Sequence, residues 1–105
     1  MQRQLTRDIS AEEQQTFWRD GVVCLRSMFD AEWVERMQRA VDVAIADPGP
    51  MHLALGQGKA GTFHGDSFVW TWQDDFRAFV FESPAARIAQ QVLGATERVT
   101  LFFDT

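Results

Sequence analysis

The densest run of apolar side chains lies between Asp66 and Gly94, and the period of the pattern changes within it. Phe68, Trp70 and Trp72 take alternate positions, the spacing of a half-buried strand or extended segment. Phe76, Phe79 and Val80 then fall three and four apart, so they line one face of a short helix that Asp74 or Asp75 starts. Ser83 and Pro84 restart the chain, because a serine caps a helix and a proline suits its first position. Ile88, Val92 and Leu93 continue the stripe until Gly94 ends it. The pattern predicts two helices joined at a bend, with the core formed around them.

Upstream, residues 1–9 are polar, with Leu5 and Ile9 as anchors. Ser10-Ala11-Glu12-Glu13 has the form of a capping box, in which residues one and four satisfy each other's amides. A helix is expected from there to Gly21, carrying Phe17 and Trp18 inward. Val22 to Arg26 is β-branched and apolar without polar alternation, which predicts a strand covered on both faces. Asp30 is placed to cap a longer helix over Ala31–Ala46, with Trp33, Met37, Ala40, Val41, Ala44 and Ile45 on one stripe. Asp47-Pro48-Gly49-Pro50 forbids its continuation. Met51–Thr62, with Gly56, Gly58 and Gly61, shows no period and is expected to be a loop. Arg98–Asp104 has strand propensity. These elements add up to an α+β chain, either one domain over residues 1–105 or the N-terminal fragment of one.

The hydrophobic fraction of 46%, with nine Phe and four Trp, is ample for a core and argues against disorder. The net charge of -5 repels phosphate backbones and anionic bilayers, so neither nucleic acid nor a membrane surface is an expected partner. One cysteine, Cys24, forms no internal disulfide and sits in an apolar run where a buried thiol acts as a small hydrophobe. That usage, with no signal-like apolar stretch at the start, points to the reducing cytoplasm.

Chemistry-bearing spacings are few. His64-Gly65-Asp66 is an H-x-D, the spacing that supplies two of three facial ligands in non-haem iron enzymes. The other histidine, His52, lies in the glycine-rich segment, and the alternative reading makes Asp66 a turn residue and His64 a solvated one. No residue is assigned as a metal ligand or a catalytic group. Gly56, Gly58 and Gly61 follow no strand and lack the Lys-Ser/Thr of a phosphate loop. Ser67 beside His64 has no nucleophile-elbow context, Asp74-Asp75 reads as a helix start, and Trp70 and Trp72 read as core rings.

The order of these features resembles the N-terminal part of the phytanoyl-CoA dioxygenase family of Fe(II)/2-oxoglutarate-dependent oxygenases. The matching pieces are LTRDISAEEQQTFWRDGVVCLRSMFD, AEWVERMQRAVD, FVWTWQDDFRAFVFESPAARIAQQVLGA and RVTLFFDT. The most specific are Asp20-Gly21-Val22-Val23, and Phe76-Arg77 with Ser83-Pro84 before a helix ending in Leu93-Gly94. The resemblance implies the outer helices and first strands of a double-stranded β-helix, a jelly roll, incomplete in this chain. It also implies Fe(II) and 2-oxoglutarate as cofactors of a complete parent enzyme that hydroxylates a small organic substrate. The iron triad and the basic residues for 2-oxoglutarate would then lie beyond Thr105, and His64-Gly65-Asp66 sits on the wrong side of the Phe76–Gly94 helices to be the family motif. Phe103 and Thr105 become the expected substrate-facing residues of this segment. The alternative is a non-catalytic binding or assembly module derived from the same fold. With aromatic rings on both faces, the last strand is then the expected route to self-association or to a partner chain.

Overall fold

The capping box at Ser10 forms in full. In a computed structural model, which describes residues 4–56, 61–95 and 97–105, the amide of Glu13 donates to Ser10 Oγ at 3.1 Å and the amide of Ser10 donates to Glu13 Oε1 at 3.0 Å. Helix α1 therefore spans Ala11–Asp20. It ends at Gly21, whose φ of 77° is open to a residue without Cβ and lets its amide donate to Phe17 O. Arg7 grips the Glu13 carboxylate with two bonds, at 2.8 and 2.9 Å. The guanidinium and then the Ser10 amide favour the charged carboxylate and push its pKa down to about 2, while Arg7 is raised in turn.

Adjacent helical positions point about 100° apart, so Phe17 and Trp18 cannot share one inward face. Phe17 is half-buried, and Trp18 is 64% exposed with its ring set edge-on to Phe17, contrary to the expectation of two inward rings. Through its other face α1 meets α4, the helix over Ala85–Leu93. Gln14 Nε2 donates to Gln91 O at 2.6 Å, and the Ile9 amide donates to Gln91 Oε1 at 3.2 Å.

Val22–Arg26 is not a strand. No described strand pairs with it, its carbonyl at Arg26 being met instead by the Arg7 side chain, and Val22 and Cys24 are exposed, so the thiol is a surface group rather than a buried one. Asp30 Oδ1 accepts from the amide of Trp33 at 2.9 Å and starts α2, Ala31–Ala46. Trp33, at 1% exposure, and Ala40 are the buried centre of its stripe. Val41 and Ile45, at the far end of that stripe, keep an exposed side.

Part of the expected loop is ordered into a hairpin: β1, Leu53–Leu55, pairs antiparallel with β2, Phe63–Gly65. Three residues are too short a run to show a period, which hid the strand inside glycine-rich sequence. Gly58 lies outside the described residues. Phe68–Trp72 is not extended either. Phe68 takes φ 56°, and Val69–Thr71 forms a 3-10 turn whose backbone is satisfied locally, with the amides of Thr71 and Trp72 donating to Phe68 O and Val69 O. Helix α3, Asp74–Glu82, is capped by Gln73 rather than by an aspartate, the Gln73 side chain accepting from the Phe76 amide at 2.9 Å. Asp75 instead meets Arg36 Nε of α2 at 2.6 Å. Ser83 and Pro84 are buried at the bend, Ser83 Oγ accepts from the Ala85 amide, and α4 runs from there to Gly94.

The final segment, residues 97–105, forms no strand, because no described strand lies beside it. Its main tie is Asp104, where the backbone oxygen accepts from the Phe68 amide at 3.0 Å and Oδ2 from the Trp70 amide at 3.1 Å. Leu101 and Phe103 are exposed, and Phe102 is 90% exposed. Among the described residues the one sheet is the hairpin, and no helix is long and apolar enough to cross a membrane.

Two measurements check this packing. Ser10→Ala should lower stability by about 1 kcal/mol, the usual effect of losing an N-cap. Because the folded-state pKa of Glu13 is depressed, its contribution is complete above the group's ordinary value of 4.5 and is lost as pH falls towards about 2. Glu13→Gln should therefore flatten the acid limb of the unfolding curve in that window, and an unchanged limb would remove the Arg7–Glu13 clamp from the account. Trp33→Ala should cost about 3–5 kcal/mol, whereas Trp18→Ala should stay within about 0.5 kcal/mol; the reverse order in denaturant melts would contradict the assigned core.

Candidate functional site

Antiparallel pairing sets Ala54 opposite His64 and Leu53 opposite Gly65. Side chains alternate along a strand, so His52, Ala54, His64 and Asp66 share one face of the hairpin and its flanks. That face covers a hollow of about 200 Å³. Its apolar wall is made by Val41, Ala44 and Ile45 of α2 with Val69 and Phe76, and its polar rim by His52, His64, Asp66 and Thr105. A concave apolar wall with a few convergent polar groups is the general form of a small-molecule site.

The two imidazoles stand diagonally across the hairpin, with His52 Nε2 and His64 Nδ1 3.1 Å apart and ring centroids 5.4 Å apart. One ring donates and the other accepts. Asp66 has a different duty: Oδ1 accepts from the Ser67 amide at 2.9 Å and Oδ2 from the Gly49 amide at 3.0 Å. The carboxylate thus clamps the chain after α2 to the chain after β2, which is the turn role among the sequence alternatives.

The residues present do not fit a facial iron triad. Among the described residues no group of three or more His, Cys, Asp or Glu could hold a metal ion, and the Asp66 oxygens are already taken by two amides. Of the expected substrate-facing residues, Thr105 lies on the rim, with Ser67 Oγ donating to its hydroxyl at 3.4 Å. Phe103 lines neither this hollow nor the one of about 320 Å³ between the final segment and α3–α4; its ring sits against Phe68 and Phe102. His52 was missed as a partner of His64 because the hairpin that unites them was hidden. Strands of three residues each are too short for alternation to show, so the sequence carried no usable signal for this pairing.

Behind the rim, the Trp72 ring packs on Gly49 so closely that a Cβ there would stand 2.3 Å from it. The Trp72 indole N–H is buried without a protein acceptor, as is Asp104 Oδ1 without a donor. Comparison with known family models, curated proteins and solved structures finds no match for this chain.

Gly49→Ala should destabilise the chain by about 1–3 kcal/mol through overpacking against Trp72 and should quench or shift the tryptophan emission of the native state. A variant that melts with the wild type would show that the Gly49 turn is loose.

Proposed function

We propose that this chain is the N-terminal helical part of a non-haem Fe(II)/2-oxoglutarate-dependent dioxygenase resembling the phytanoyl-CoA dioxygenase family, a cytoplasmic enzyme that hydroxylates a small organic substrate. The observation that supports the reading is the final segment. It has the sequence of a strand, its backbone is tied to the turn before α3 at Asp104, and it leaves Leu101, Phe102 and Phe103 exposed. Its exposed apolar side chains are thereby offered to further strands, as those of the first strand of a jelly roll would be. The four helices then act as the outer buttress. In this reading iron and 2-oxoglutarate belong to residues outside these 105. Within this segment the chain's own contribution to substrate is the rim at Thr105.

A second reading, a binding or assembly module, draws on the same exposed rings. Three neighbouring apolar side chains without cover, one of them 90% exposed, favour association through this segment. The 105-residue chain should therefore sediment as an associated species at tens of micromolar and should form no succinate from 2-oxoglutarate with Fe(II). Succinate formation, or a well-folded monomer, would reject the fragment reading. An open reading frame that continues past Thr105 into an H-x-D and a later His and Arg selects the oxygenase, and a stop codon at that point selects the module.

A further inference from the structure

We propose that His52 and His64 form a two-imidazole chelate for a borderline divalent cation of the zinc or nickel kind, closing the hairpin over the hollow. This goes beyond the oxygenase reading and does not depend on it. The geometry comes from the fold: His52 immediately precedes β1, His64 is central in β2, and the diagonal relation across the antiparallel pair brings Nε2 of one to Nδ1 of the other at 3.1 Å. Two nitrogens on one metal at about 2.0–2.1 Å from it stand about 2.8–3.4 Å apart in octahedral or tetrahedral geometry, so the observed separation already suits a shared ion once the rings turn their lone pairs towards it. What the ion displaces is a single ring-to-ring hydrogen bond beside solvent, whose net worth in water is small.

The surroundings favour a cation as well. Asp66 lies on the same rim, and since its carboxylate is committed to the Gly49 and Ser67 amides it acts as a nearby negative charge rather than a ligand. The chain as a whole carries a net charge of -5. Water completes the coordination on the open side, where His64 is exposed. Such a site is open, exchangeable and selective for imidazole-preferring ions over Mg²⁺, which takes oxygen ligands.

The test uses the untagged 105-residue chain with Zn²⁺ alone in a non-chelating buffer. Because the chain holds two histidines, ring nitrogen NMR reads both without ambiguity. Zn²⁺ should shift the ring signals of both histidines together, saturating at one equivalent with a dissociation constant below about 100 µM, and Mg²⁺ should shift neither. His52→Ala and His64→Ala should each weaken binding at least about tenfold, while Cys24→Ser, at the exposed thiol, leaves it unchanged. No saturation, a shift confined to one ring, binding retained in either alanine variant, or loss on Cys24→Ser overturns the proposal. The wild-type NMR decides the matter even if an alanine variant fails to fold.

Discussion

Burial of one indole sets the relation between the two halves of the molecule. Trp33, the third residue of α2, stands edge-to-face with Phe79 at 5.8 Å between centroids, and Phe79 in turn lies 5.4 Å from Phe29. The Arg36 guanidinium sits 5.5 Å over the Trp33 ring and also meets Asp75 at the start of α3. An aromatic side chain brings more apolar area than any neighbour, and edge-to-face contact fixes its angle as well as its depth. The axis of α3 is thereby defined against α2, and everything chained to α3 follows: the 3-10 turn before it and the buried Ser83-Pro84 bend after it. The floor of the hollow, shared by α2, Val69 and Phe76, is a by-product of that one contact.

Local rules were legible wherever a single residue type determines a backbone state. Ser10 with Glu13, Asp30 and the two helix-ending glycines mark their helices because capping needs only neighbours in sequence. The strands were not legible for the opposite reason. Val22–Arg26 has strand propensity, but propensity makes a ladder only when another segment supplies the partner groups, and no described segment does so. Leu53–Leu55 has a partner and too little length to announce itself. Phe68–Trp72 alternates like a strand, yet short-range bonds from Thr71, Trp72 and Gln73 to Phe68 and Val69 win over the period.

The site shows the same division. Asp66 as a turn residue was readable from its neighbours, whereas the meeting of His52 and His64 depends on strand pairing across residues that carry no pattern. Thr105 reaches the rim through Asp104, whose bonds to Phe68 and Trp70 are tertiary and invisible in a linear pattern. Chemistry carried by several elements at once is therefore the last thing a sequence discloses.

The tether at Asp104 has a kinetic meaning. It joins positions 34 residues apart, and the entropy of closing such a loop must be met by very few bonds. Helices α3 and α4 lie inside the loop and shorten the path to be closed, so docking of the tail is favoured once they have formed and can be lost without unfolding them. The amides of Phe68 and Trp70 consequently exchange with solvent at the rate at which the tail lifts, independently of global unfolding. Their protection is a direct clock on how often the last segment is free to find a neighbour.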